Sequence, residues 1–151
     1  MVLRRDFLSA TAAAPTGQWD RAVFEAILAR PFRHCQVFAS TRLGGAMVLH
    51  YMENSLKAYN EGFGEGPGTL HVAAVLYGTS LSLAVSDAMW AKYKLAALLN
   101  GPPMNETIDA TATTNPYAAR VSALVASGAS FFVCNNALLG SSDFIASKTP
   151  G

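Results

Sequence analysis

The feature that most constrains this chain is residues 69–77, TLHVAAVLY, a run that is apolar almost without interruption. A strand with one solvated face alternates polar and apolar residues, whereas a strand covered on both faces does not. The run therefore predicts a central strand of a parallel sheet, buried beneath helices. Turn residues bracket it: Gly62-Phe63-Gly64-Glu65-Gly66-Pro67-Gly68 before and Gly78-Thr79-Ser80 after. The glycine-rich turn follows a helix and opens a strand, the reverse of a phosphate-cradling loop, so it is read as a tight αβ connection.

The flanking segments supply partners for that strand. Residues 20–30 carry an amphipathic pattern with Asp20 as N-cap and Pro31 as stop, and residues 34–39 (HCQVFA) predict a first strand. Residues 46–61 predict a helix with Val48, Tyr51, Met52, Ser55, Leu56 and Tyr59 on one face and His50, Asn54, Lys57 and Glu61 on the other. Residues 80–100 are helical in pattern, with a break near Ser86-Asp87 that suits a second N-cap. Asn115-Pro116 then starts a helix whose stripe is Tyr117, Val121, Leu124 and Val125 and which Gly128 ends at C′. The chain passes directly into residues 129–134 as a third strand, and a short helix begins at Asn135. Strands alternating with helices imply an α/β domain of the Rossmann-like, three-layer kind with a mostly parallel sheet.

Composition limits what such a domain does. With 151 residues, 51% of them hydrophobic and 14% charged, the chain suits a single core over residues 18–151, with residues 1–17 a leader remnant or a disordered N-terminus. A net charge of +1, interspersed and without a basic stripe, gives no support for nucleic-acid binding. So few charges on a small domain predict a homo-oligomer. Residues 72–85 are interrupted by Gly78, Thr79, Ser80 and Ser82, so no membrane span is expected. Arg4-Arg5 followed by a short apolar segment resembles a twin-arginine export signal; the chain is periplasmic if that leader functions and cytoplasmic otherwise.

Ligands and chemistry collect at the C-terminal tips of parallel strands. Three tips converge here: residues 39–42 with Arg42, residues 77–80 with Tyr77, Gly78 and Thr79, and residues 134–136 with Cys134, Asn135 and Asn136. Cys134 is the candidate reactive group, because a thiol just before a helix meets unpaired N–H groups and the positive end of the dipole, which favour the thiolate. A cysteine ending an apolar strand can equally be core. Cys35 is read as a small core or boundary residue, too far from Cys134 for a disulfide. His50 and His71 fall away from the tips and His34 is left open, so no complete triad can be specified, nor does the Cys and His spacing suit a metal. The polar, proline-punctuated stretch of residues 100–114 is too long for an ordinary connection and predicts a lid, an oligomer arm or a mobile insertion.

The segments GASFFVCNNAL, HVAAVLYGTS and VLHYMENSLKAYN, with HCQVF and GEGPGTLHVAAVLYG, resemble the DsrE/DsrF-like family of small sulfur-relay proteins, in particular bacterial members with twin-arginine leaders. The resemblance covers residues 34–140. It implies a Rossmann-like parallel domain assembled as a trimer or hexamer, and a persulfide carried on Cys134, passed between a donor and an acceptor protein without metal, nucleotide or other cofactor. Relatives continue beyond this cysteine into a further helix and a closing strand, which implies a C-terminally short domain here. The alternative is a non-catalytic subunit that binds a small ligand or a partner protein at the same tips. A flavodoxin-like nucleotide binder is weaker, because no glycine-rich loop directly follows a strand.

Overall fold

The computed structural model describes residues 21–148; the leader reading of Arg4-Arg5 and the boundary at residue 17 lie outside them. Strand β2 (Leu70–Leu76) is the middle of a three-stranded, all-parallel sheet, between β1 (His34–Ser40) and β3 (Ser130–Val133). The register sets Cys35 against His71, Ala39 against Val75, Ala73 against Ser130 and Leu76 against Val133. Partners in a parallel register share a face, which divides the sheet into two sides of different character. Val72, Ala74 and Leu76 of β2 and Phe131 of β3 form one side and are fully buried. His71, Ala73 and Ser130 lie on the other.

The first side carries the main core. Helix α2 (Met47–Lys57) sets Val48, Leu49 and Met52 into the cluster that holds Val72, Ala74 and Leu76. Each such side chain contributes about 1.5–3 kcal/mol of burial. The expected stripe is rotated: Leu49 is inside, while Tyr51 is half exposed beside Phe38. His50 sits on the exposed face and meets Asn54, as its helical spacing requires. Helix α5 (Ala118–Ala126) adds Val121 and Leu124 to this core, and its Arg120 grips Glu53 of α2 through two parallel bonds of 3.0 and 2.7 Å. The bond from Arg120, against a smaller opposing effect of burial, holds the Glu53 carboxyl below its ordinary value.

The second side is covered unevenly. Helix α1 (Arg21–Leu28) reaches β3 through an edge-to-face contact of Phe24 on Phe132. Phe32 stacks on His71, whose ring lies 3.0 Å from the Ser130 hydroxyl. Strand β1 is different, with Cys35, Val37 and Ala39 all exposed and Val37 at 66%. Cys35 is therefore an exposed thiol on an edge strand and not the core or boundary residue expected. Continuous apolarity marks full burial for β2 but not for β1, whose exposure alternates along its length.

After β2 the helical stretch expected over residues 80–100, with its break near Ser86-Asp87, is three pieces. A tight 3-10 segment (Gly78–Ala84) comes first, then α3 (Asp87–Tyr93) and α4 (Leu95–Asn100), with left-handed Lys94 between the last two. Serine hydroxyls compete with the α-helical ladder at the start: Ser80 donates to the Ser40 carbonyl at 2.6 Å and Ser82 to Thr79 at 2.7 Å. The break at Ser86 is where the cap was expected, with Met89 N–H donating to the Ser86 hydroxyl. The N-cap of α5 is Tyr117 and not the expected Asn115; Asn115 turns the chain just before the helix by accepting from Tyr117 N–H at 2.9 Å, and its amide donates to the carbonyls of Ser82, Leu83 and Val85. Helix α6 (Asn135–Lys148) is 14 residues, longer than the short helix expected, and lies against the 3-10 segment. The described residues thus form the α/β, Rossmann-like arrangement that the strand pattern predicts.

Candidate functional site at the strand tips

Two backbone bonds bring the three strand ends together. Tyr77 N–H donates to the Ser40 carbonyl at 2.8 Å, and Cys134 N–H donates to the Leu76 carbonyl at 3.1 Å, each extending the parallel ladder one residue past the strand. Gly78 must be glycine. Its φ is +47°, and a Cβ there would stand 2.6 Å from the Thr41 carbonyl oxygen, so the β1 and β2 tips approach as closely as the backbone permits.

The group that organises the first two tips is Glu106, which no feature of the sequence singled out. It lies in residues 100–114, is 7% exposed, and its carboxylate faces donors from both neighbouring tips. Gly44 N–H donates to Oε2 at 2.9 Å, while the Thr79 hydroxyl at 2.5 Å, Leu43 N–H at 3.2 Å and Arg42 Nε at 3.4 Å donate to Oε1. Leu43 is right-handed and Gly44 has φ of +47°, so their successive N–H groups form the concavity that binds anions. Burial pushes the Glu106 carboxyl up, but the Thr79, Gly44, Arg42 and Leu43 bonds outweigh it and the net direction is down. Burial, then the Glu106 charge, pushes the nearby Tyr117 phenol up. Arg42 also donates to the Met104 carbonyl at 2.8 Å, and Asn100 clamps the base of the loop by exchanging two bonds with Ile108. The long loop is thus a fastened strap across the β1 and β2 tips.

Met104 of the strap lines a cavity of about 130 Å³ whose walls are almost wholly apolar. Leu81, Val85, Leu99, Met104, Leu138 and Ile145 form its wall, and Gly78 and Thr79 border it from the β2 tip.

The third tip carries the thiol. Cys134 is free and half-buried, immediately before the first residue of α6, and its carbonyl accepts from Leu138 N–H at 2.9 Å. Leu138 lines the cavity, so the backbone of Cys134 stands one helical turn from a residue of the cavity wall. Asn135 and Asn136 are exposed on the first turn of α6, and Tyr77 is half-buried between the tips of β1 and β3. Of the sequence-predicted residues, Arg42 and Thr79 converge on Glu106, Gly78 and Thr79 border the cavity, and Cys134, Asn135 and Asn136 form a separate group at the third tip.

The histidines fall elsewhere. His34 opens β1 and His71 is the second residue of β2, so both lie toward the opposite end of the strands from Cys134, which continues the register level with Tyr77, six residues from His71 and seven from Leu70, the partner of His34. Among the described residues no three His, Cys, Asp or Glu side chains gather as a metal site requires, and no helix is long and apolar enough to cross a membrane. Comparison with protein-family models, with curated proteins and with solved structures finds no match to this chain.

Proposed function

We propose that the protein is a small sulfur carrier of the DsrE/DsrF-like kind, in which Cys134 holds a sulfane sulfur between a donor and an acceptor. The observation that carries this reading is the placement of a free, half-exposed thiol at the tip of β3, directly before the 14-residue α6. In the reaction the Cys134 thiolate attacks the outer sulfur of a donor persulfide. The donor S–S bond breaks, the donor leaves as a thiolate, and Cys134 holds the transferred sulfur as a persulfide. An acceptor thiolate then attacks that outer sulfur and releases Cys134. No histidine stands beside this thiol, which suits a carrier that exchanges one thiolate for another better than an acyl-transfer nucleophile that needs a base.

The chain acts as a homo-oligomer in this reading, supported by the exposed apolar stripe of Val37 and Ala39 on the β1 edge. Export through Arg4-Arg5 belongs to the same proposal and is tested by fractionating cells that express the chain. For the chemistry, wild type, Cys134→Ser and Cys35→Ser are exposed to polysulfide and weighed intact. One sulfur adduct of about 32 Da on wild type and Cys35→Ser, absent from Cys134→Ser, is the expected result. An adduct that survives in Cys134→Ser and is lost in Cys35→Ser overturns the assignment, since the exposed Cys35 is then the reactive thiol.

The apolar cavity favours a second reading, a subunit that binds a small ligand at the strand tips without chemistry.

A further inference from the structure

We infer that the tips of β1 and β2 form a binding site for a small carboxylic acid with an apolar body, and that the Glu106 strap closes this site by placing its own carboxylate where the ligand's would sit. The inference rests on the cavity reading and is independent of the thiol.

Three observations carry it. The first is the donor set: two successive backbone N–H groups, a hydroxyl and a guanidinium meet one carboxylate from two separate segments, residues 42–44 and Thr79. Such a set recognises a planar monoanion irrespective of the chain that bears it. The second is continuity. Thr79 donates to Glu106 and also borders the cavity, while Met104 lines the cavity two residues from Glu106 on the same strap. The anion site and the cavity therefore share Thr79, and the strap contributes a residue to each, Glu106 to the first and Met104 to the second. The third is size and polarity: about 130 Å³ of nearly apolar lining suits a ring or short alkyl chain of benzene size and offers little to a polar body.

These features select the ligand class. A neutral apolar molecule fills the cavity and leaves the four donors to Glu106. A small inorganic anion fills the donors and leaves the cavity empty. An aryl or short alkyl carboxylate does both, and it displaces Glu106 from a site to which Glu106 is tethered at high effective concentration. Wild type consequently binds such an acid more weakly than a variant without the carboxylate.

The test titrates wild type and Glu106→Ala with benzoate, benzyl alcohol and acetate. Thermal stability and the Met104 methyl resonance in methyl-labelled protein are followed. The expected result is saturable stabilisation of Glu106→Ala by benzoate with a shifted Met104 signal, about ten-fold or more tighter than benzyl alcohol, and weaker binding of benzoate to wild type. Acetate stabilises the variant without moving the Met104 signal. Adding Arg42→Ala to Glu106→Ala weakens benzoate and leaves benzyl alcohol unchanged. Should Glu106→Ala not fold, Glu106→Gln is titrated instead, since its amide cannot match four donors with two lone pairs. Equal affinity for benzyl alcohol and benzoate overturns the carboxylate site while leaving the cavity reading standing. Binding of neither overturns both.

Discussion

At the scale of single residues, Glu106 has a large predicted effect on the fold. Truncating it removes the acceptor of the Gly44 N–H and of the Thr79 hydroxyl, while the Leu43 N–H keeps the Thr79 hydroxyl oxygen at 2.9 Å, and a buried group left unpaired costs about 1–3 kcal/mol. Because water enters once the strap loosens, Glu106→Ala is expected to lose about 2–3 kcal/mol in urea unfolding with an unchanged slope. Protonation acts on Glu106 and on two other held groups. Burial, with a smaller effect of the Arg30 charge, holds the His71 imidazole below its ordinary value, while the carboxyls of Glu106 and Glu53 are also held down. All three groups bind protons more readily in the unfolded chain, so stability falls as pH falls. The His71 contribution is present above about pH 6.5 and declines below it, and the two glutamates add a second decline below about pH 4.3. Urea midpoints measured across that range check this: His71→Gln removes the upper decline and keeps the lower one. None of this was legible at Glu106 itself. One acidic residue between Asn105 and Thr107 has no local signature, and its role exists only because residues 42–44 and 79 reach it from distant parts of the chain.

At the scale of elements, start and stop chemistry was the readable part. The Asn115-Pro116 opening and the Gly128 ending place α5 within two residues of its expected start, and the apolar runs place all three strands within one residue. The 3-10 segment was not readable from periodicity, because Leu81 and Leu83 are both buried along with Ser80 and Ser82. A segment enclosed on every side loses its amphipathic period, and local serine bonds then decide its shape. Asn115 joins these elements, since one buried amide accepts from the Tyr117 N–H just before α5 and holds three carbonyls at the end of the 3-10 segment. Asn115→Ala is expected to cost about 2–3 kcal/mol and to increase hydrogen exchange at the start of α5 and through the 3-10 segment together. Faster exchange confined to α5 contradicts the role of Asn115 as a tie.

At the scale of the whole molecule, the described residues cover the sheet on one side and only partly on the other, and the exposed part is the β1 edge with Cys35, Val37 and Ala39. Which face α1 covers follows from packing of Phe24 on Phe132, a contact that sequence pattern does not specify, and this is why Cys35 was expected in the core or at its boundary and is instead exposed. An oligomer that uses this edge is expected to weaken on Val37→Lys, read as a shift to lower mass in sedimentation without loss of secondary structure. An unchanged mass distribution contradicts that interface. The two thiols then differ in kind: Cys35 on an edge, Cys134 at the tips. The measurement that bears most directly on the carrier reading is sulfur hand-over. Protein loaded with one sulfane sulfur is freed of excess polysulfide and mixed with an acceptor thiol, and the persulfide is mapped by peptide mass before and after. The account predicts loading on Cys134 and stoichiometric appearance of the acceptor persulfide as Cys134 returns to the thiol. Loading that is confined to Cys35, or that stays on Cys134 in the presence of the acceptor, contradicts it.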